Sequence, residues 1–521
     1  MTQSASASTL EHPRLRRGVA PSRPDPRLGP ISRKIDRGER LSLADGEVLF
    51  TTHDIWSVCE LADAVRRRLH GGSAYYNINR HLNYSNVCAL SCKFCEFYRK
   101  QGDDGAYTRD MDYVKDQARQ AVEAGATEIH SVGGLHPALP FSYYTDLVST
   151  IRDTARSLGS DLHVKAFTAV EIVHLARIAK QYRGASVPGA EGRAARREGI
   201  RWVLSRLKEA GLGSLPGGGA EVFDDRVHDE AYKGKIRSDV WLDVHRVAHE
   251  LGLNTNATLL YGHIESRHDR LVHMDMLRRA QDEALARLGY AGDAAPVPID
   301  GATKVEAVTP RRSNGVHVGG HEDSLAHSEG GHLGDRGDSH APVITLTKPG
   351  APLPEHVAFS FPSPSPTPTL PRASQIFDHS IPRSLPGYYQ TIIPLPFFPD
   401  GSELEHLPGP TGLENLRTLA IARLMLDNFP HVKAFWIMQT LPMAQLMLQN
   451  GADDLDGTVV WYDITKVSHG AVGGTGGDGT GTHQEVSVGT LQKAIRDAGF
   501  EPVERDTKYR RVNRDGNRWS I

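Results

Sequence analysis

The chain has 521 residues, enough for one large core or two to three domains of average size. Its 60 basic and 63 acidic side chains nearly balance, which gives no electrostatic case for binding nucleic acid or an anionic membrane. Four cysteines point to a reducing compartment, and no run approaches the roughly 18 apolar residues of a membrane span, so we expect a cytoplasmic protein.

The N-terminal part of the chain predicts a tail followed by a long helix. Residues 1–38 are rich in Ser, Pro and Arg and are predicted to be disordered, with a transit peptide as the less favoured alternative. Apolar residues at three- and four-residue steps predict a helix over 42–70, which contains Cys59. A short strand is predicted at Ala74–Asn79.

The other three cysteines follow that strand closely. Cys88, Cys92 and Cys95 are spaced C-x3-C-x2-C, with Phe94 directly before the last. Thiolates this close can converge on one metal centre, and sulfur ligands select iron–sulfur clusters, zinc or copper(I). Three thiolates would leave one iron of a cubane cluster open to a non-protein ligand. A zinc site would need a fourth ligand such as His81 and usually a second close pair, which the sequence lacks.

Strand and helix patterns then alternate along the chain. Helices are predicted at 110–124, 141–157, from Thr168 (capping box with Glu171), 200–210 after a basic insertion at 184–199, 239–251, 269–288, from Thr411 (capping box with Glu414) and 441–449. Strands are predicted at Thr127–Gly134, Leu162–Phe167, Asn254–Tyr261, Thr391–Phe398, His431–Met438 and Gly457–Asp463, and helix 200–210 leads to the glycine-rich segment Ser214–Phe223. This alternation predicts an α/β fold with a parallel sheet, and its six to eight units favour a (β/α) TIM-type barrel over an open doubly wound sheet.

One long stretch interrupts the alternation and sets the predicted domain boundaries. Residues 291–387 contain a Pro/Ser/Thr repeat at 362–369, many glycines and seven histidines, so we expect a disordered, low-complexity insertion. Residues 39–290 are then predicted to form the first part of the barrel. Residues 388–521 are predicted to complete it and to add a C-terminal extension. A second, shorter flexible loop is predicted at Gly470–Gly481.

Candidate binding residues follow from the barrel, because ligands meet at the C-terminal ends of its strands. Gly133 and Gly134, with His136, follow one strand, and a plain tight turn is the alternative. The run 217–219 is all glycine and leads into Glu221, which favours close approach of backbone to a ligand; Glu221 could otherwise simply begin a helix.

Two further segments have polar residues at predicted strand ends. The strand at 254–261 is followed by His263 and Glu265, which predicts a pocket wall, although a lone histidine is more often structural. Lys433 is a candidate partner for a substrate carboxylate. The segment Asp453–Gly457 is interpreted as an acidic turn.

The cysteine motif resembles the signature of the radical S-adenosylmethionine (SAM) enzymes. The resemblance implies a [4Fe-4S] cluster on Cys88, Cys92 and Cys95, with SAM chelating the open iron and cleaved reductively to methionine and a 5'-deoxyadenosyl radical. It also implies that SAM contacts a set of residues near the strand ends: Phe94, Gly133, Gly134, His136, Thr168, Glu171, Gly218, Glu221 and Asn256. His263 and Glu221 are the catalytic candidates.

Six colinear segments extend the resemblance to one family. NVCALSCKFCEFYR, VKAFTAVEI, LPGGGAEVF, WLDVHRVAHELGLNTNATLLYGHIE, GADDLDGTVV and PVERDTKY resemble the aminodeoxyfutalosine synthases of menaquinone biosynthesis, over about 45–290 and 388–510. The long insertion and the His-poor segment Pro394–Pro399 depart from that pattern.

The family resemblance implies a specific transferase reaction. The radical would add to 3-[(1-carboxyvinyl)oxy]benzoate and give 6-amino-6-deoxyfutalosine, methionine and bicarbonate, with flavodoxin or ferredoxin as electron donor. The alternatives are a cyclic dehypoxanthinyl futalosine synthase, another hydrogen-abstracting radical SAM enzyme, and a zinc-stabilised binding module.

Overall fold

The computed structural model describes residues 24–289, 386–459 and 485–521, which belong to one compact unit. The predicted insertion, apart from its last two residues, lies outside the described residues. The same holds for residues 1–23, for the predicted strand beyond residue 459 and for the predicted loop at 470–481.

Three helices precede the first strand, where the sequence predicted one. They are α1 (Leu28–Arg37), α2 (Leu43–Thr51) and α3 (Ile55–His70). The single helix over 42–70 is wrong because Asp54 accepts a hydrogen bond from the Ser57 backbone and starts a new helix there. The disordered tail is wrong for residues 28–37, where α1 buries three apolar side chains on one face.

Two parallel sheets form the centre of the molecule. Their strands are β1 (Ser73–Asn77), β2 (Asn79–Leu82), β3 (Glu128–Ser131), β4 (His163–Ala166), β5 (Ser214–Leu215), β6 (Asn254–Tyr261), β7 (Tyr389–Pro396), β8 (His431–Val432), β9 (Asp454–Gly457) and β10 (Glu501–Glu504). Strands β2 to β8 pair in sequence order, all parallel, and β1 pairs with β9 and β10. A bridge between Lys433 and Asp454 and a hydrogen bond from the Thr458 hydroxyl to the Asn79 carbonyl, 3.1 Å, connect the two sheets. The predicted (β/α) barrel is confirmed.

Helices connect the strands and cover the outside of the barrel. They are α4 (Met111–Glu123), α5 (Phe141–Ser157), α6 (Ala169–Ile178), α7 (Ala190–Ala210), α8 (Asp225–Ala231), α9 (Ser238–Glu250), α10 (Arg267–Arg287), α11 (Gly412–Met425), α12 (Trp436–Gln439), α13 (Leu441–Leu448) and α14 (Val488–Asp497). A small antiparallel pair, β11 (Asn513–Asp515) and β12 (Arg518–Ser520), ends the chain. Among the described residues, no helix combines the length and apolar composition needed to cross a membrane.

Three local predictions need correction. Helix α7 begins at Ala190, so most of the predicted basic insertion is helical. The strand predicted over 431–438 ends at Val432, and α12 replaces its second half. The Thr411 hydroxyl caps α11 as predicted, but the Glu414 carboxylate binds Arg267 and Arg270 instead of completing a capping box.

The predicted acidic turn at 453–457 is wrong, because residues Asp454–Gly457 form the buried strand β9. Each of its acidic groups meets a buried cation or histidine: Asp453 binds Arg423 and His431, Asp454 binds Arg505 and Asp456 binds Lys433. Pairing offsets the desolvation that would otherwise keep carboxylates out of a core strand.

Candidate active site

The three clustered cysteines lie on the segment between β2 and α4. Hydrogen bonds fix this loop: the Cys88 N–H donates to the Arg99 carbonyl, 3.0 Å, and the Cys95 N–H to the Cys92 carbonyl, 3.0 Å. The Lys100 ammonium donates to the carbonyls of Cys88 and Leu90 at 3.2 and 2.8 Å. The loop therefore holds its thiols in place through backbone contacts.

Cys88, Cys92 and Cys95 line one cavity, as the ligands of a single metal centre would. Cysteine thiolates are the usual ligands of a [4Fe-4S] cluster, in which each sulfur binds a different iron. His81, the fourth ligand that zinc would require, lies within β2 with its ring 4.6 Å from that of His130.

The three thiols open onto a cavity of about 320 Å³ inside the barrel. Cys59 on α3 is not among its lining residues. Most of the predicted binding residues line this cavity, namely Phe94, Gly133, Gly134, Thr168, Glu171, Gly218, Glu221 and Asn256. Burial raises the pKa of the Cys92 thiol to about 11 and also raises that of Cys95. Metal binding would deprotonate these thiols, since the thiolate is the ligand form.

Gly133 and Gly134 follow β3 and pack against the backbone at the start of the cysteine loop. A Cβ atom on Gly134 would overlap the Val87 carbonyl, and one on Gly133 would lie 2.8 Å from the Ser85 carbonyl. The close backbone approach that the sequence predicted is therefore present, and its observed partner is the cysteine loop. Direct binding of SAM by these two residues stays a prediction.

Glu171, at the start of α6, holds this turn in place. Its carboxylate accepts hydrogen bonds from the Tyr84 hydroxyl, 2.8 Å, the Gly133 N–H, 3.1 Å, and the N–H and hydroxyl of Thr168, 2.8 and 2.6 Å. The predicted capping box is confirmed. Burial raises the pKa of Glu171 above its ordinary value, although these donors oppose the shift. Because its oxygens already have four donors, the geometry supports a positioning role for Glu171.

The glycine run after β5 also owes its composition to close packing. A Cβ on Gly217 would lie 2.5 Å from the Ala257 carbonyl carbon, so β5 and β6 could not pack at this point. Trp241 and Thr258 donate hydrogen bonds to the Gly217 carbonyl at 3.2 and 2.9 Å. The glycine run therefore packs directly against β6 and also lines the cavity.

Glu221 forms an ion pair that sequence reasoning missed. It has a left-handed backbone, φ +49°, and its carboxylate binds the Lys235 ammonium. The Lys235 ammonium lies 4.8 Å from the Phe94 ring centroid. Its positive charge partly offsets the increase that burial causes in the pKa of the Cys92 thiol. Burial disfavours the charge of Lys235, but Glu221 and Cys92 outweigh it and raise the pKa of the ammonium. No motif marks Lys235, which follows α8 on an irregular segment.

Two predicted residues do not reach the cavity. The Nδ1 atom of His136 accepts hydrogen bonds from the Ala138 and Leu139 N–H groups at 3.1 and 3.2 Å, which fixes the entry to α5. His263 lies 3.4 Å from Glu265 with its ring against Phe397, outside the cavity lining. Their predicted binding and catalytic roles find no support in this geometry.

The barrel interior contains a polar cluster that we call the floor, made of His81, Glu128, His130, Lys165, Lys433 and Asp456. All six side chains line the same cavity as the cysteines. Lys165 binds both oxygens of Glu128 at 2.8 and 2.9 Å, and Lys433 binds Asp456 at 2.7 Å. Of these residues, the sequence marks Lys433 as a candidate for substrate binding and His81 only as the ligand that a zinc site would need. The available signal was alternation of polar residues in buried strands, as in Glu128 and His130.

A parallel barrel with three thiols at one cavity defines an enzyme of the radical SAM class. The Radical SAM superfamily model matches residues 82–277, and the CofH/MqnC C-terminal region model matches residues 387–516. The solved structure of methylornithine synthase is similar in fold, with a TM-score of 0.51 and 13% identity over 91% of this chain and 97% of that one.

Two sequence relatives define the family more narrowly. The aminodeoxyfutalosine synthase of Thermus thermophilus is 34% identical, with 94% of this chain and 96% of the relative covered. That of Streptomyces coelicolor is 32% identical, with 92% of each covered. The chain belongs to the family of these synthases within the radical SAM superfamily, whose cofactors are a [4Fe-4S] cluster and SAM.

Proposed function

We propose that this chain is an aminodeoxyfutalosine synthase. It joins the 5'-deoxyadenosyl group of SAM to the enolpyruvyl carbon of 3-[(1-carboxyvinyl)oxy]benzoate, and with water yields 6-amino-6-deoxyfutalosine, methionine and bicarbonate. The observation that carries the proposal is one cavity that joins three thiols, an apolar wall and a floor with two ammonium groups. The identities over nearly full length support it.

Different residues around the cavity would bind the cluster and the aromatic substrate. When bound, the cluster and SAM supply a 5'-deoxyadenosyl radical. Cys88, Cys92 and Cys95 would hold the cluster. Ile393, Leu395 and Phe397 on and after β7 present an apolar wall suited to an arene.

Enclosure is the second contribution of the protein. Side chains around the cavity exclude water, which protects a reactive intermediate, and a fixed orientation places the alkene beside the ribose. The His-poor segment 394–399 supplies part of this wall, so its departure from the family pattern is compatible with an apolar role.

The reaction needs a one-electron donor, for which flavodoxin or ferredoxin is our proposal. The test is anaerobic reconstitution with iron and sulfide, then incubation with SAM, a chemical reductant and the enolpyruvyl benzoate. Mass spectrometry should detect 6-amino-6-deoxyfutalosine and methionine in equal amounts. Free 5'-deoxyadenosine without the adduct would instead indicate a hydrogen-abstracting enzyme, such as a cyclic dehypoxanthinyl futalosine synthase, and would overturn the proposal.

A further inference from the structure

The charges of the floor balance before any ligand enters. The cations that face it are Lys165, Lys433 and Arg505, and the anions are Glu128, Asp454 and Asp456. Titratable neighbours of these charges include His81, His130 and His163. Tyr509 lies beside Arg505 and Asp454, and the opposite charges of Asp506 and Lys508 face His163. Burial lowers the pKa of His81 and of His163 to about 4 and lowers that of His130 well below its ordinary value, so all three are neutral near pH 7.

The histidine pair occupies the centre of this arrangement. His81 and His130 occupy paired register positions on β2 and β3, and His130 in turn pairs with Lys165 on β4. The Nε2 atom of His130 is buried and has no hydrogen-bond partner among the described residues. It is thus a polar atom at the cavity whose hydrogen bond a ligand could supply.

We propose that the floor binds the ring carboxylate of the aromatic substrate and that the His81–His130 pair takes up a proton as it does so. The inference rests on the proposed function for the identity of the substrate. The alkene must face the thiol end of the cavity, where SAM binds, so the opposite, aromatic end of the molecule reaches the floor.

Charge balance requires the proton. A carboxylate added to three cations and three anions leaves one buried negative charge uncompensated, and a buried unpaired charge is strongly disfavoured. A new anion within about 4–6 Å raises a histidine pKa by roughly 1–3 units. From a value of about 4 in His81, the upper half of that range brings the pKa to about 6–7, at which the histidine is half or more protonated at pH 6.

Titration calorimetry on the cluster-loaded enzyme with SAM and no reductant tests the inference. Heats measured at pH 6 in buffers of different ionisation enthalpy should show uptake of roughly 0.5–1 proton per 3-[(1-carboxyvinyl)oxy]benzoate. Affinity should decrease from pH 6 to pH 8. The analogue 2-phenoxyacrylate lacks the ring carboxylate and should bind at least tenfold more weakly, without proton uptake.

Variants locate the proton. The double variant His81→Gln with His130→Gln should lose both the uptake and at least tenfold in affinity, because glutamine hydrogen-bonds but carries no charge. His245→Gln, a buried histidine outside the cavity, is the matched control and should leave both unchanged. The measurements on the wild-type enzyme decide the question even when the double variant fails to fold.

The outcomes separate this inference from the proposed function. Equal affinity for the two ligands, absence of proton uptake at pH 6, or no binding of the diacid overturns the floor assignment, even in an enzyme that forms the adduct. Conversely, proton-linked binding by an enzyme that forms no adduct supports the floor assignment and overturns the proposed reaction.

Discussion

Replacement of Glu171 by Ala tests whether one buried carboxylate organises the cysteine loop. The substitution leaves the Gly133 N–H and the Thr168 N–H without their acceptor, and it leaves the Tyr84 hydroxyl only the longer contact of 3.4 Å to the Gly134 carbonyl. A buried donor without a partner costs about 1–3 kcal/mol, and partial access of water to the cavity reduces the sum. We therefore expect the free energy of unfolding to fall by ~3–6 kcal/mol.

The assay is urea unfolding followed by tryptophan fluorescence, together with iron content after anaerobic reconstitution. Glu171→Gln keeps one acceptor oxygen, so its loss of stability should be intermediate. The control is Glu230→Ala, since Glu230 is exposed and its pair with Arg226 should contribute less than ~1 kcal/mol. A loss below about 1 kcal/mol in Glu171→Ala, with full iron loading, would refute the positioning role.

Three further substitutions test separate parts of the structure. Replacing Cys88, Cys92 or Cys95 by Ala should abolish iron binding, measured after anaerobic reconstitution, whereas Cys59→Ala should retain it; iron in any of the first three would contradict the ligand set. Gly134→Ala should displace the cysteine loop and lower iron content, whereas Gly72→Ala, where a Cβ meets no atom within 4 Å, should not. His245 has its pKa lowered to about 3 by burial, so the unfolded chain binds the proton first and stability falls as pH decreases from about 6.5 toward 3. His245→Phe should reduce the slope of unfolding free energy against pH in that window by up to ~1.4 kcal/mol per unit, measured by urea unfolding at several pH values; an unchanged slope would contradict burial of a neutral histidine.

The sequence predicts the barrel well because local patterns and the overall topology agree. The predicted ends of the strand at 254–261 agree with the structure at both residues, because polar and loop residues flank its apolar stretch on both sides. The cysteine motif located the metal end of the cavity, since its chemistry depends on residues adjacent in sequence. Helix α1 was missed because three buried apolar residues lay within a composition typical of tails.

The floor shows why the rest of the site was harder to predict. Glu128 and Lys165 are 37 residues apart, and each alone reads as a polar residue in an otherwise buried strand. Only the register of β3 against β4 brings them together. Strand β9 was misread for the same reason: the cations that pair with its carboxylates come from α11 and from the residues directly after β10 and β8, which the local sequence does not show.

The distribution of charge in the cavity gives its two ends different tasks. At the thiol end, Glu221 and Lys235 form a pair beside sulfur ligands, and backbone hydrogen bonds fix the loop. At the floor, Glu128 and Lys165 already form an ion pair, so the Lys165 ammonium is not free to bind a ligand carboxylate. Binding there must either displace an internal carboxylate or bring a proton. Because displacement would leave a buried anion without its cation, proton uptake by the histidine pair is the less costly route.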